Sequence, residues 1–271
     1  MTGGDGLHVT DRRGIVTPTS PAVQCFYYAS PAPTPPLYEQ SAGVYRDFLG
    51  ARTVALAFPF ETVDNFADRL ELLRRSLCFL GIRTAPSLNG IKAYPDGEWA
   101  AATGKIVTAV FDGFFYIEDP DRTSGIRVVS AEMAAVGSKL NVEGPLGTIG
   151  QERCINAGRI EDLGYVGLLE PLGVSNRSLG GASIPGQTGV MGASGANNIG
   201  LLIRTWGRVI EVTADGFTID DGSGASVEVL AGNLGLPAAG SYVSVAGISS
   251  CVERGEQAAS LVLLTEPAST Y

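Results

Sequence analysis

The chain has 271 residues, 45% of them apolar, with 19 Lys and Arg against 28 Asp and Glu and a formal net charge of −9. That length and apolar content suffice for two or three buried cores, and no apolar run approaches the ~18 residues of a membrane-spanning helix. Residues 1–85 carry eight basic and eight acidic side chains, whereas residues 86–271 carry eleven against twenty. The acidic excess therefore lies in the second part, and it argues against nucleic acid, whose phosphates are met by Lys and Arg.

Four cysteines (Cys25, Cys78, Cys154, Cys251) without a CxxC, and a single histidine, His8, leave no zinc-type ligand set. Two disulfides are compatible with the count, Cys25 with Cys78 for instance, and so are buried free thiols. His8 and Cys25 could pair as base and nucleophile, but Cys25 lacks the small neighbours of a strained nucleophile turn. No catalytic residue, metal site or cofactor is expected.

Residues 1–85 read as an α/β segment. Ala22–Tyr28 is aromatic and β-branched enough for a strand, between Pro-rich loops at residues 17–21 and 30–36 that are candidates for O-glycans on a secreted protein. Arg52–Phe58 is a near-continuous apolar run, the mark of a strand buried on both faces. Phe66, Leu70, Leu73, Leu77 and Leu80 then recur at helical spacing before Gly81. The string Thr53-Val-Ala-Leu-Ala-Phe-Pro-Phe-Glu-Thr62, after Ser41-Ala-Gly-Val-Tyr45 and before the Arg-rich helix, resembles the last segment of a glutamine-amidotransferase-like or flavodoxin-like α/β domain of bacterial extracellular proteins. That resemblance implies a parallel sheet and a chain beginning partway through the domain. Val54, Leu56 and Phe58, cut off from such a sheet, are then a candidate assembly surface.

From residue 86 the chain repeats itself. Gly104–Asp119 is echoed by Gly207–Gly224, and Val136–Gly144 by Ala239–Gly247, so that Gly104 and Gly207, Gly113 and Gly216, and Gly144 and Gly247 are spaced alike. In the first copy, strands are expected at Lys105–Phe111, Phe114–Glu118, Ile126–Val129, Lys139–Glu143 and Asn156–Leu163, with a helical turn at Ala131–Val136. The second copy gives Leu201–Val212, Phe217–Asp220, Ser226–Leu230, Tyr242–Ile248 and Leu261–Leu264. Five strands in this pattern predict a Greek-key barrel. The signature Gly-Phe-Thr-Ile-Asp-Asp-Gly-Ser-Gly at Gly216–Gly224, followed by Gly-Ser-Tyr-Val-Ser-Val-Ala-Gly at Gly240–Gly247, resembles the helicase- and tRNA-type OB family, and the tandem is similar to OB pairs in large bacterial envelope proteins.

The expected fold is thus mainly β: two tandem five-stranded OB-fold Greek-key barrels behind a small N-terminal α/β segment. The expected divisions are 1–85 (partial α/β segment), 86–172 (first barrel), 173–200 (a Gly/Ser/Asn-rich strap lying across one barrel) and 201–271 (second barrel). Asn176-Arg-Ser178 is the one N-glycosylation sequon, so Asn176 is a candidate glycan site. OB barrels bind ligands on the face of strands two and three, where alternation places Tyr116 outward beside Arg127 and Glu118 in the first copy, and Thr218 and Asp220 in the second. These positions carry neither a run of aromatics nor a basic groove. Glu118–Asp121 and Asp220–Gly222 read as turns whose side chains bond their own backbone rather than as calcium loops.

The sequence accordingly predicts a non-catalytic extracellular or cell-surface protein, structural or interacting, that self-associates into an oligomer or filament and carries no membrane span. Two other readings are weaker: an OB-type single-stranded nucleic-acid binder, and a residual hydrolase or amidotransferase-like module.

Overall fold

The computed structural model describes residues 23–27, 41–48, 51–56, 63, 65–132, 134–255 and 257–271. The chain divides into two compact units, Met1–Ile82 and Arg83–Tyr271.

In the first unit, β1 (Val23–Tyr27), β2 (Ser41–Phe48) and β3 (Ala51–Leu56) form an antiparallel sheet in the order β1-β2-β3. This corrects the parallel sheet implied by the α/β resemblance. Nor is β3 buried on both faces: Val54 and Leu56 are half-buried while Thr53 and Ala55, which alternate with them, are exposed, the alternation of a sheet with one covered face. Phe58 and His8, the Pro-rich loops and the Cys25 side chain lie outside the described residues. Helix α1 (Phe66–Phe79) starts where Asn65 Oδ1 accepts the Ala67 amide at 2.8 Å, and Gly81 at φ 95° lets the chain leave it. Glu71 pairs with Arg74 and Arg75, each at 2.7 Å. Cys78 on this helix is a free thiol, and the side chain of Cys25, its candidate partner, lies outside the described residues.

β4 (Ile82–Thr84) marks the boundary, and α2 (Leu88–Lys92) follows, capped by Ser87. The first barrel consists of β5 (Trp99–Phe111), β6 (Phe114–Glu118), β7 (Gly125–Val129), β8 (Ser138–Ile149) and β9 (Glu152–Asn156). They pair β5-β6-β7-β9-β8 and close through β8 to β5, with β7 and β9 parallel and every other pair antiparallel. β10 (Arg159–Tyr165) adds to the outer side of β8, and β11 (Leu172–Gly173) runs parallel to the start of the second barrel. That barrel comprises β12 (Leu202–Val212), β13 (Gly216–Asp220), β14 (Ser226–Leu230), β15 (Tyr242–Arg254) and β16 (Gln257–Leu264) in the same closed order, and β17 (Ser269–Thr270) lies against β15. This is the five-stranded Greek-key order of an OB-like barrel, present twice.

Inward residues of each barrel form its core: Val107, Phe115, Ile117, Val128, Leu140 and Ile155 in the first, and Val209, Phe217, Ile219, Val229, Val243 and Val262 in the second. Leu88 and Ile91 of α2 join the first core, and Leu179 from the strap joins the second. Among the described residues the expected helical turn at Ala131–Val136 is not formed; they make bends, open chain and a turn.

Two further details differ from the sequence expectation. The fifth strand is Glu152–Asn156, and Asn156–Leu163 is broken at Gly158, whose amide donates to Glu143 O (2.8 Å) beneath the Trp99 ring. The duplication also slips. Gly144 and Gly247 are true counterparts, because a Cβ on Gly144 would collide with the Asn156 carbonyl and one on Gly247 with the Leu263 carbonyl. In the first hairpin, however, Val107 faces Ile117 as Val209 faces Ile219, one residue off that spacing. Gly113 sits in the two-residue turn, whereas Gly216 is paired in a strand, where its counterpart is Phe114.

The strap between the barrels is ordered and reaches both. Gln187 accepts the Arg153 amide and donates to Gln151 O (both 2.9 Å) on the first barrel, while Asn198 Oδ1 accepts Ser249 Oγ at 2.7 Å on the second. Asn176 is 2% exposed: its Nδ2 donates to Ile219 O (3.3 Å) and its Oδ1 accepts Thr205 Oγ1 (2.7 Å). Its side chain is thus enclosed, held at both amide ends within the second barrel.

Candidate functional site

The ligand face expected of the first barrel is the outer face of β6, β7 and β9, and alternation does place Tyr116, Arg127, Glu152 and Cys154 on it. Yet Tyr116 is fully buried. Its hydroxyl donates to Glu152 Oε2 at 3.0 Å and accepts Arg127 Nε (2.9 Å) and Nη2 (2.8 Å), and Arg127 Nη2 reaches Glu152 Oε2 at 2.8 Å. The fourth member comes from the other barrel: Ser250 Oγ on β15 donates to the same Glu152 oxygen at 2.8 Å. Around this cluster Ala109 and Tyr116 of the first barrel pack with Leu202, Ile248, Leu261 and Leu263 of the second. Phe111 and Phe114 flank it as a stacked pair 5.0 Å apart, and the Arg127 guanidinium lies 4.7 Å above the Phe114 ring centre.

Burial sets the electrostatics here. It pushes the Glu152 carboxyl up, against the lowering pull of Arg127, and pushes the Tyr116 phenol well above its ordinary value. Lys92 is buried nearby, donates from Nζ to Ile199 O at 2.8 Å, and is pulled down by burial to about 8. Cys251 is pushed up to about 12 by burial and then by Glu152, so its thiol is an inert core group.

Glu118 belongs to the same joint, while Asp119 beside it serves the first barrel. Glu118 Oε1 accepts the Leu202 amide at 2.5 Å, and its Oε2 pairs with Arg122 at 2.9 Å, while Arg122 Nη2 donates to Leu202 O at 2.9 Å. Burial raises Glu118, with the Leu202 amide and Arg122 acting against it. Asp119 pairs with buried Lys105 at 2.5 Å and accepts the Leu88 amide at 2.9 Å. Asp220 stands apart, exposed, with Oδ1 accepting the Gly222 amide at 2.8 Å, the self-bonded turn expected of Asp-Asp-Gly.

Tyr116, Glu118 and Arg127 are therefore brought together, but as the seam joining two barrels. The second barrel's corresponding face carries Thr218 and Glu228, the latter ion-paired with Arg254 at 2.5 Å, and no aromatic. A cleft of about 750 Å³ opens beside the seam, lined by Val110 and Asp112 of the first hairpin, Leu168–Pro171, Arg204, Leu230–Leu234 and Glu266. Among the described residues no group of three or more His, Cys, Asp or Glu could hold a metal ion. Sequence reasoning missed Glu152 and Ser250. Glu152 lay outside the expected fifth strand, and Ser250 carried no signal of its own. No known protein family matches the sequence, and no curated protein matches it either.

Proposed function

We propose that the protein is a non-catalytic structural and interaction protein of an extracellular or cell-surface assembly, working as a self-associating block of two joined OB-like barrels carried behind the N-terminal segment. The observation that supports self-association is the apolar seam of α1. Phe66, Leu70, Leu73, Leu77 and Leu80 follow a 4-3-4-3 spacing, the period of a helix that packs along another helix. Phe66 is 73% and Leu70 55% exposed, and Leu73 and Leu80 are exposed as well. Apolar side chains aligned in this way are more than the scattered exposed leucines of an ordinary surface. β3, with Val54 and Leu56, is an edge strand among the described residues and offers a second place for a neighbour to pair.

The nucleic-acid reading finds less support, since Tyr116 and Arg127, its candidate stacking platform and cation, are bonded to each other in the seam. Light scattering over a concentration series tests the proposal. Mass should rise with concentration, and Leu70→Glu with Leu73→Glu should hold the protein at monomer mass. A monodisperse monomer at every concentration would refute it.

A further inference from the structure

The outer face of β12 and β15 forms one continuous stripe. At one end Leu202 stands opposite Ile248 under the first barrel, and next Arg204 stands opposite Ala246 at the wall of the interbarrel cleft. Beyond the cleft come Trp206 opposite Ser244, then Arg208 opposite Tyr242. β17 widens the sheet on the far side of β15: Ser269 pairs with Ser244, and the Tyr271 amide donates to Tyr242 O at 3.0 Å. Cross-strand partners share a face, with strands about 4.8 Å apart. Trp206, Tyr242 and Tyr271 are therefore neighbours on one open surface, 51%, 62% and 84% exposed. Among the described residues none of these rings stacks on another ring or lies under a cation.

The charges on this stripe cancel. Arg204 pairs with Glu266 at 3.3 Å, and Arg208, whose Nε donates to Gly240 O (3.4 Å), is matched in number by Asp220 at its cross-strand position, whose Oδ1 accepts the Gly222 amide. On a chain of net charge −9 this is a locally neutral, aromatic face. A polyanion needs a basic groove, which equal numbers of basic and acidic side chains do not supply. A neutral sugar ring fits both features. Its C–H face lies on an aromatic ring, and its hydroxyls, each donor and acceptor, find guanidinium, carboxylate and serine groups at the edges.

We propose that the Trp206–Tyr242–Tyr271 face binds a neutral glycan chain, which runs along the strands toward the interbarrel cleft. This is the face of strands one and four of the barrel, not the strand two and three face by which OB barrels commonly take ligands. The inference is independent of self-association through α1, which lies in the other unit.

Native-gel affinity electrophoresis of the full chain tests it, with xylan, hydroxyethylcellulose or galactomannan in the gel, and polygalacturonate and labelled oligo-dT as charged comparisons. At least one neutral polymer should retard the protein equally at low and high salt. Trp206→Ala with Tyr242→Ala should weaken that retardation at least about tenfold, whereas Trp206→Phe should retain most of it and Tyr165→Ala all of it. Thermal melts matching the parent would show that the double variant still folds, as expected for exposed side chains. No retardation by any neutral polymer, retardation that survives the double substitution, or binding of the charged polymers alone would overturn the proposal. So would a double variant that loses concentration-dependent mass yet keeps its polymer retardation, since the face would then belong to a second copy of the chain.

Discussion

Replacing Arg127 with Met removes the ion-pair partner of a buried carboxylate. Glu152 is almost fully buried and bonds only through Oε2, to Arg127, Tyr116 and Ser250, while Oε1 has no hydrogen-bond partner among the described residues. Breaking a buried pair in this way costs about 3–5 kcal/mol, a large part of the roughly 5–15 kcal/mol that holds a domain folded. Removing both charges, with Arg127→Met and Glu152→Met together, should recover about 2 kcal/mol or more of that loss, because residues in direct contact do not add. The two tryptophans make the assay specific, since Trp99 lies on the first barrel and Trp206 on the second. Urea unfolding of Trp99→Phe and Trp206→Phe backgrounds, followed by fluorescence, reads each barrel separately. The two transitions should coincide in the parent and come apart, at lower midpoints, with Arg127→Met. Coincident transitions with a change below about 1 kcal/mol would refute the seam as the joint between the barrels.

Three more outcomes follow from the packing. Lys92 sheds its proton near pH 8 in the folded state, against 10.5 ordinarily, so the unfolded chain binds the extra proton between those values. Measured against Lys92→Met, the parent should therefore gain stability as pH rises through that window, on the order of 3 kcal/mol in all, and a gain on acidification would contradict the burial of this amine. Gly144→Ala should cost about 1–3 kcal/mol through its collision with the Asn156 carbonyl, whereas Gly173→Ala, with open space around it, should stay within about 0.5 kcal/mol; equal melting temperatures for the two would count against the close crossing of β8 and β9. Cys154 and Cys251 should resist iodoacetamide at pH 8 until the protein is unfolded, and rapid alkylation of the native protein would show the seam to be open.

The inward framework was legible in the sequence. Phe115 and Phe217, Ile117 and Ile219, and Gly144 and Gly247 recur with a near-constant spacing because each barrel needs the same core and the same close crossing of its fourth and fifth strands. The slip at Gly113 was not visible, since a two-residue turn in one copy and a longer loop in the other both end near a glycine. The fifth strand was hidden by Glu152 and Arg153, polar residues that look like loop until Ser250 of the second barrel meets the one and Thr148, Asp96 and the strap residue Gln187 meet the other. Tyr116 shows the general reason. Alternation tells which side of its own sheet a residue faces, and it correctly put Tyr116 on the outside of the first barrel. What covers that side is a long-range fact set by Ile248 of β15 and Leu261 and Leu263 of β16, far along the chain, and no local pattern carries it. The apolar face of α1 was readable as a helical period, but its exposure was not, because such a period marks an apolar face without naming its partner.

Sedimentation velocity of the parent and of the Leu70→Glu, Leu73→Glu variant, over a concentration range reaching well above micromolar, tests the central proposal most directly. The parent should show a weight-average mass that climbs with concentration, and the variant should remain a folded monomer throughout. A parent that sediments as a single monomer at every concentration, or a variant that associates as the parent does, would contradict it.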